Sequence, residues 1–474
     1  MDPLPPRVAS TLEMRLRERH VHGAAVVAFD RDGVCFAGGA GYADVQRGEP
    51  ATPATVFRVA SISKLLTTTL ALTLADAGEL DLDAPVNEHL PADLRIADAD
   101  GAPADATLAQ VLSHSSGLPY GVRGADLSNP LASLVANGGR VRTLADAITG
   151  LRLTHAPGER VVYSNPGFNV VGFVAARVAG RPFEAAARHR VLAPLGMGDS
   201  AFGSRRRAPG VATPYGSFLP PKVSAKPADA MRLVATPMGG LTTSALDLSR
   251  FGRMVLGGGS LEGRPRLGRE VLDRATRLAA RNHPDLDQGY GLGFKVRQWR
   301  GRTLVGHDGN MPGVSAQLML SPEDGVGVVV LTNGFALSVP HETAALCLEH
   351  LLGLEPSATP GGSGPVTGAE APAWEALGER VAGPVHPVDA APPGVLGRLA
   401  ALGGSVRATH EVGGRLRIDG STGWDGPLWL LPAGPLGRYR IAASVDHGTS
   451  AVVDERPDGG ADLWLGYTTH LTAR

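Results

Sequence analysis

The sequence predicts an α/β domain with a mainly antiparallel sheet and a helical subdomain, followed by a small all-β domain. The chain has 474 residues, more than one core usually takes. Strand patterns lie at both ends of residues 1–353 with helical patterns between them, which favours an antiparallel α/β fold. Short strand patterns at regular spacing fill residues 373–474, as is typical of a small sandwich or barrel. A stretch rich in Pro, Gly, Ser and Thr predicts a linker at 354–372.

Apolar periodicity and turn signals support each element of the first domain. The run AAVVAF (24–29), the turn Asp30–Gly33 and the run VCFAGGAGYA after it predict a hairpin. Residues 61–78 have helical length, apolar residues spaced for burial and a terminal glycine. The later predicted elements are three strands, 303–306, 316–321 and 326–333, and a closing helix, 341–353.

Composition excludes several classes of partner. Hydrophobic residues make up 43% of the chain and charged residues 19%, which indicates a folded globular protein. The net charge is -1, with 45 basic and 46 acidic side chains, so nucleic acid and anionic membranes are not expected partners. Aromatic residues are 5% of the chain, which argues against a base-stacking surface.

No cofactor, metal or membrane span is expected. Cys35 and Cys347 both sit in apolar runs and are interpreted as buried reduced thiols, without a CxxC partner. The N-terminal residues lack the apolar core of a secretory signal, so a cytoplasmic location is expected. No uninterrupted apolar stretch reaches about 18 residues, the length that a membrane span needs.

Ser61 and Lys64 form an S-x-x-K element at the start of a predicted helix. Residues i and i+3 share one helix face, so Lys64 returns over Ser61. The helix start favours developing negative charge on Ser61, and burial lowers a lysine pKa enough for it to act as a base. The alternative interpretation is a serine cap beside a surface lysine.

Tyr163 and Asn165 form a second polar element on a loop before a helical run. A tyrosine close to a lysine can pass a proton to a leaving group, and an asparagine offers a donor and an acceptor to a substrate amide. A packing tyrosine and a turn asparagine are the alternative.

His307 and Gly309 lie at the edge of a predicted strand with the sequence LVGHDG, and Asn310 follows directly after it. Glycine beside a site lets substrate approach the backbone closely. The N–H groups of Ser61 and Asn310 could form an oxyanion hole. The alternative for His307 is a structural role, since a lone histidine is more often structural than catalytic.

Other candidates have weaker signals. Gly239 and Gly240 are expected to line the substrate pocket, with a plain turn as the alternative. His114 is interpreted as a turn residue or a residue behind the site. Tryptophans of the last domain are expected to fill its core, with a ligand wall as the alternative: Trp424, Trp429 and Trp464.

These three boxes, in this order, resemble the S-x-x-K, Y-x-N and H-x-G boxes of the class C β-lactamase and D-alanyl-D-alanine carboxypeptidase group. The stretches LSHSSGLP, MGGLTTSALDLSRFG and YGLGF are similar to stretches of the same group, and the resemblance spans roughly residues 15 to 350. No G-x-S-x-G occurs, so the α/β-hydrolase route to a serine nucleophile is absent. One departure is His-Asp-Gly where β-lactamases of this group carry Lys-Thr-Gly, which puts efficient β-lactam hydrolysis in doubt.

The resemblance implies an acyl-enzyme on Ser61 that acts on a peptidyl or acyl ester or thioester. The last domain resembles the lipocalin-like appendage of several β-lactamase-like enzymes. The layout is similar to that of stand-alone penicillin-binding-protein-type thioesterases, which release nonribosomal peptides from a carrier-protein thioester by head-to-tail macrolactamisation. The alternatives are a cytoplasmic esterase or D-amino-acid peptidase, and a catalytically silent binding protein on the same fold.

Overall fold

The computed structural model describes residues 1–120, 143–203, 210–216 and 236–355, together with the C-terminal strands and a few residues beside them. Nearly all of the predicted linker, and Trp424, lie outside the described residues. The chain divides into two compact units. The domain bounds predicted from the sequence stay a prediction. The first unit comprises Met1–Ala280, Tyr290–Val296 and Leu304–Leu354. The second unit comprises Arg281–Gly289, Arg297–Thr303 and Glu355–Arg474.

Strands and helices up to residue 354 form the α/β fold that the sequence predicts. The strands are β1 (Gly23–Asp30), β2 (Val34–Asp44), β3 (Glu49–Pro50), β4 (Val56–Arg58), β5 (Ala201–Phe202), β6 (Leu241–Ser244), β7 (Ser260–Leu261), β8 (Arg264–Pro265), β9 (Gly289–Tyr290), β10 (Lys295–Trp299), β11 (Arg302–Met311), β12 (Val314–Ser321) and β13 (Val326–Thr332). The α-helices are α1 (Pro6–Glu18), α2 (Ser63–Asp76), α3 (Leu108–Leu112), α4 (Asn165–Val178), α5 (Phe183–Ala187), α6 (Ala245–Leu256), α7 (Arg269–Thr276) and α8 (Ser338–Leu351). Short 3-10 turns occur at Ala60–Ile62, Val86–Glu88, Ala92–Leu94 and Thr236–Met238, and a π-helical turn at Arg188–Leu192.

An eight-stranded sheet runs in the order β3-β2-β1-β13-β12-β11-β10-β9. Its central pairs are antiparallel, with Val26 opposite Val330 and Asp308 opposite Gln317, so the predicted antiparallel sheet is confirmed. Residues 24–29 of β1 are fully buried, because helices cover the centre of the sheet: α6 packs on β1 and β13, and α8 packs on β12 and β13. A strand covered in this way reads as a continuous apolar run.

The predicted hairpin and helices are present. Asp30 closes the β1–β2 turn by accepting hydrogen bonds from the N–H groups of Asp32 and Gly33, both at 2.8 Å. The helix predicted at 61–78 begins as a 3-10 turn at Ala60–Ile62 and continues as α2, which is buried on most sides. The chain leaves α2 at Gly78, whose φ of 70° suits a residue without a Cβ.

The two cysteines are both free thiols but differ in burial. Cys347 is fully buried in α8, as predicted. Cys35, near the start of β2, is only half-buried. Its Sγ atom lies 3.6 Å from Asp30 Oδ2. Burial and the Asp30 carboxylate raise the pKa of Cys35 to about 11.

The C-terminal unit contains a closed sheet of eight antiparallel strands in chain order. The strands are β14 (Gly383–Pro387), β15 (Val406–Glu411), β16 (Arg415–Asp419), β17 (Leu428–Pro432), β18 (Arg438–Ala442), β19 (Asp446–Glu455), β20 (Ala461–Leu465) and β21 (Thr469–Ala473). Trp429 lies on β17, and Trp464 is half-buried on β20 with its ring 5.5 Å from that of His283. A lipocalin-like character for this unit stays a prediction.

Candidate active site

The turn that carries Ser61 is held in an unusual backbone conformation. Ala60 has a φ of 46°, in the left-handed region that non-glycine residues rarely adopt. The Ser63 hydroxyl donates to the carbonyl of Ala60 at 2.6 Å and accepts from the N–H of Leu241 at 2.9 Å. These two bonds tie the turn to β6, so the position of Ser61 is fixed by tertiary contacts as well as by its helix.

Lys64 is completely buried, and its ammonium group has three hydrogen-bond acceptors around it. The Nζ atom lies 3.0 Å from Ser61 Oγ, 2.8 Å from Asn165 Oδ1 and 2.8 Å from the carbonyl oxygen of Met238. A lysine ammonium carries three N–H donors, so every donor of Lys64 has a partner. The sequence prediction that Lys64 and Ser61 meet agrees with this geometry.

Burial lowers the pKa of Lys64 well below its usual value. The carboxylate of Asp308 opposes this shift, and the ammonium of Lys295 adds to it. A buried lysine next to a second cation holds a larger fraction of neutral amine near neutral pH. Neutral amine is the form that can accept a proton from Ser61.

Tyr163 faces Ser61 from the loop before α4. Its hydroxyl donates to Ser61 Oγ at 2.9 Å, and its ring centroid lies 4.9 Å from Lys64 Nζ. Burial raises the pKa of Tyr163 well above its usual value, and the hydrogen bond to Ser61 opposes this shift. Tyr163 is therefore a neutral phenol that donates to the serine.

His114 holds the Tyr163 loop in place. Its Nδ1 atom accepts from the N–H of Ser164 at 3.0 Å, and its ring packs against Tyr163, with centroids 4.4 Å apart, and against Tyr290. His114 itself has a φ of 60°. Burial lowers the pKa of His114 well below its usual value. The interpretation of His114 as a residue behind the site agrees with these contacts.

Asn165 is the first residue of α4, and the Ser164 hydroxyl caps this helix by accepting from the N–H of Gly167 at 3.1 Å. Because Pro166 follows, the first turn of the helix loses no hydrogen bond at that position. The cap fixes where α4 begins and places the Asn165 side chain on Lys64.

His307 is buried on β11, with its ring centroid 6.2 Å from that of Tyr163. Its Nδ1 atom lies 2.5 Å from the carbonyl oxygen of Asp308, and its Nε2 atom has no hydrogen-bond partner among the described residues. Burial lowers the pKa of His307 to about 3, and the Lys295 ammonium adds to this effect. The imidazole is neutral at physiological pH.

Asp308 forms an ion pair with Lys295 of β10. Burial alone would raise the pKa of Asp308, but the Lys295 ammonium outweighs it and holds the pKa at about 2. The pair places one negative and one positive charge beside His307 and Lys64. Sequence reasoning did not select Lys295, although it directly follows the YGLGF stretch.

Gly309 brings β11 against the turn that carries Ser61. A Cβ atom at this position would lie 2.0 Å from the carbonyl oxygen of Val59 and 3.3 Å from the Cβ of Ala60. Any side chain would push the strand away from the turn. Asn310 follows on the same strand, and its Oδ1 atom accepts from Ser315 at 3.0 Å. An oxyanion hole from the Ser61 and Asn310 N–H groups stays a prediction.

Gly239 and Gly240 form a tight turn after Met238. Their N–H groups both donate to the carbonyl of Thr236, at 3.2 Å and 2.7 Å. A Cβ on Gly240 would lie 2.7 Å from the Cα of Thr236. The turn positions the Met238 carbonyl on Lys64, and the two N–H groups are engaged within it. Whether Gly239 and Gly240 also line the substrate pocket stays a prediction.

Met238 was not a sequence candidate because it contributes only its backbone carbonyl. Thr67 of α2 fixes the same segment by donating from its hydroxyl to the carbonyl of Pro237 at 2.7 Å. The stretch MGGLTTS, noted for its resemblance, was the signal available in the sequence.

Within the described part of the chain, no group of three His, Cys, Asp or Glu side chains is arranged to hold a metal ion. No helix in the same residues has both the length and the apolar character to cross a bilayer. The groups gathered in this site are the hydroxyl of Ser61, the buried amine of Lys64, the neutral phenol of Tyr163, the amide of Asn165 and the neutral imidazole of His307.

Comparison with known proteins gives the same fold. A penicillin-binding protein homologue from Pyrococcus abyssi, described as octameric, has a TM-score of 0.60 at 23% identity and covers 98% of this chain and 99% of its own. SurE has a TM-score of 0.59 at 22% identity, covering 99% and 98%. A D-stereospecific amidohydrolase from a Streptomyces species has a TM-score of 0.60 at 23% identity, covering 72% and 98%. At these identities the likeness shows the fold alone.

Sequence comparison shows the family. An uncharacterized protein of Mycobacterium tuberculosis is 33% identical over 260 residues, which cover 51% of this chain and 64% of that protein. The match thus spans somewhat less than two thirds of the relative's length. Residues 8–348 match the family described as Beta-lactamase, close to the span over which the boxes resemble that group. This chain belongs to the beta-lactamase family.

Proposed function

We propose that the protein forms an acyl-enzyme on Ser61 and transfers the acyl group to an amine or to water. One observation carries the proposal: Ser61 Oγ lies 3.0 Å from the amine of Lys64 and 2.9 Å from the hydroxyl of Tyr163. A nucleophile within hydrogen-bond distance of a base and an acid is the arrangement that acyl transfer requires.

Lys64 is the base that activates Ser61. A neutral lysine has two N–H donors and one lone pair. Asn165 Oδ1 and the Met238 carbonyl can only accept, so they take the two N–H groups. The lone pair then faces Ser61 Oγ, whose proton moves to Nζ as the oxygen attacks the acyl carbon.

Tyr163 is the acid that protonates the leaving atom. Its phenol is neutral because burial raises its pKa. The hydroxyl is within hydrogen-bond distance of the attacking oxygen, Ser61 Oγ. When the bond between the acyl carbon and its leaving atom breaks, the phenol proton goes to that atom. The Lys64 ammonium, 4.9 Å from the ring centroid, stabilises the resulting phenolate until a proton returns to it.

The N–H groups of Ser61 and Asn310 are the proposed donors to the oxyanion of the tetrahedral intermediate. The close approach of Gly309 to Val59 supports this assignment, because it brings the backbone of β11 beside the turn of Ser61. Fixed donors at that position stabilise charge as it develops.

We infer as the more specific function the release of a nonribosomal peptide from a carrier-protein thioester, with head-to-tail macrolactam formation. In this reaction Ser61 takes the peptidyl group, the C–S bond breaks, the thiol leaves with a proton, and the peptide's own amine attacks the ester. The neutral imidazole of His307 supports a substrate without a carboxylate beside the scissile bond. The similarity to SurE over nearly the full length of both chains supports a shared two-part fold.

Hydrolysis of an ester or of a D-amino-acid peptide is the second candidate. The fold likeness to a D-stereospecific amidohydrolase favours it, and its chemistry differs only in using water for the final step. A silent binding protein would not need Lys64 and Tyr163 hydrogen-bonded to the same serine hydroxyl.

Intact mass after mixing the protein with a peptidyl thioester mimic tests the proposal, with product analysis alongside. We expect a mass gain equal to the peptidyl group, absent in Ser61→Ala and present in Ser10→Ala, an exposed serine of α1 that serves as the control. A cyclic product supports the cyclase, and only linear acid supports the hydrolase. No mass gain with any activated acyl donor contradicts the acyl-enzyme.

A further inference from the structure

His114 holds the backbone on both sides of Tyr163. Its carbonyl oxygen accepts from the N–H of Val162 at 2.9 Å, and its Nδ1 atom accepts from the N–H of Ser164 at 3.0 Å. These two N–H groups flank Tyr163 in the chain, so a single residue fixes the backbone before and after it. His114 makes both bonds from a left-handed backbone, with a φ of 60°. Non-glycine residues keep such a conformation only where surrounding contacts hold it.

The ring of His114 also limits where the ring of Tyr163 can lie. The two ring centroids are 4.4 Å apart, and the imidazole packs on its other sides against Tyr290, at 4.6 Å, and Phe168, at 5.3 Å. His114 is 1% exposed, so its ring has no room to move away. Both the backbone and the ring of Tyr163 are therefore fixed by this one residue, and together they decide where the phenol hydroxyl lies.

The hydrogen bond to Ser164 requires a neutral imidazole. A backbone N–H can only donate, so Nδ1 must keep its lone pair and Nε2 carries the hydrogen. Burial lowers the pKa of His114 well below its usual value, and the positive charge of Lys64 adds to this shift. The acceptor that Ser164 needs is therefore present near neutral pH.

We propose that His114 is a positioning residue, which places the Tyr163 phenol for proton donation to the leaving atom. The inference rests on the proposed function and extends it to a residue behind the catalytic groups. The Tyr163 hydroxyl donates to Ser61 Oγ at 2.9 Å. A misplacement of about 1 Å in such a group can cost about 10²-fold in rate, so the contacts that fix Tyr163 matter for the chemistry and not only for the fold.

Two esters of one acyl group, a 4-nitrophenyl ester and an ethyl ester, test this role. The 4-nitrophenolate leaves readily without a proton, whereas an alkoxide needs the proton of the phenol. His114→Phe keeps a ring but loses the acceptor for the Ser164 N–H. We expect this variant to slow acylation of Ser61 by the ethyl ester at least about tenfold more than acylation by the 4-nitrophenyl ester. The measurement is the single-turnover mass gain on Ser61.

Tyr163→Phe provides the reference for the same two esters. Without the phenol hydroxyl there is nothing for His114 to place. Adding His114→Phe to Tyr163→Phe should therefore slow acylation by no more than a further few-fold, since two residues that act as a unit have non-additive effects.

His114→Asn is the rescue variant. Its Oδ1 atom is as many bonds from the backbone as Nδ1 and can accept from Ser164, and asparagine adopts left-handed backbone more readily than most residues. It should keep the wild-type ratio of the two ester rates. His20→Phe, the same change at an exposed histidine with a φ of 53°, is the control and should keep both rates. If His114→Phe does not fold, His114→Gln replaces it, because its amide oxygen lies one carbon further from the backbone than Nδ1.

Wild-type rates in His114→Phe, or equal losses for the two esters, would overturn the inference and leave the acyl-enzyme intact. Losses that multiply with those of Tyr163→Phe would overturn it as well, because His114 would then act on something other than the phenol. Absence of Ser61 acylation by either ester in the wild-type protein would overturn the proposed function and this inference with it.

Discussion

The Nζ atom of Lys64 lies 3.0 Å from the Oγ atom of Ser61, three residues earlier on the turn that leads into α2. The same Nζ contacts Asn165 and the Met238 carbonyl, at 2.8 Å each. The segments that carry Asn165 and Met238, both distant in sequence from Lys64, thus fix the orientation of its amine. The chemistry of the short S-x-x-K element depends on these two segments.

Lys64→Met is expected to slow acylation of Ser61 by roughly 10²- to 10⁴-fold, the usual effect of losing a general base. Only neutral Lys64 can accept the proton, so the wild-type acylation rate should fall as pH falls through the Lys64 pKa, which burial lowers. The variant should lose this acid limb. Stopped-flow acylation with an activated ester across pH measures both effects.

Lys64→Arg is the matched variant, because a guanidinium keeps the charge and stays protonated. It should be as slow as Lys64→Met. A fast Lys64→Arg would show that the residue acts by charge and not as a base.

Much of this site was readable from the sequence because its boxes are local patterns. Ser61 and Lys64 are one helical turn apart, and Tyr163 with Asn165 span the start of α4. Such spacings imply shared faces before any tertiary structure is known. The sheet was likewise predictable, since the apolar run of β1 and the Asp30 turn are sequence signals.

The remaining parts depend on tertiary contacts that no local pattern encodes. Met238 acts through a carbonyl that every residue has, and Lys295 reaches Asp308 only because β10 pairs beside β11. Residues 281–289 and 297–303 belong to the second unit, but no change in composition marks these two segments in the sequence.

Tyr163→Phe should reduce acylation by roughly 10²-fold or more while the free energy of unfolding changes little. The variant keeps the ring that packs against His114 and loses only the hydroxyl that donates to Ser61. Acylation rates and thermal denaturation, measured on the same preparation, separate the two effects. Wild-type rates in Tyr163→Phe would remove the phenol from the mechanism.

Gly309→Ala should lower both stability and acylation. The added Cβ would lie 2.0 Å from the Val59 carbonyl, so β11 must shift away from the Ser61 turn. Overpacking of this kind costs about 1–3 kcal/mol, and a misplacement of about 1 Å can cost about 10²-fold in rate. Urea denaturation and acylation rates measure the two losses.

Gly198→Ala is the control for this change, because a Cβ at Gly198 meets nothing within 4 Å. It should retain wild-type stability and rate. Equal behaviour of the two variants would mean that β11 does not need to approach the turn so closely.

Lys295→Met should move the acid limb of the acylation rate to higher pH. The Lys295 ammonium lowers the pKa of Lys64, whereas the Asp308 carboxylate raises it. Removing the ammonium leaves the buried Asp308 carboxylate without its counter-ion, which raises the pKa of Asp308 itself. At pH values where Asp308 stays ionised, its charge raises the Lys64 pKa, and a higher pH is needed to form the neutral amine. The shift is expected to be roughly one pH unit or less. The pH dependence of acylation, measured with an uncharged ester, reports it.

Combining Lys295→Met with Asp308→Asn provides the decisive comparison. Both charges of the pair are then gone, and the acid limb should return toward that of the wild type, because the two effects on Lys64 have opposite signs. A shift that persists in the double variant would have to come from displacement of β10 and not from charge. A limb that does not move in either variant would mean that the pair has no electrostatic influence on Lys64.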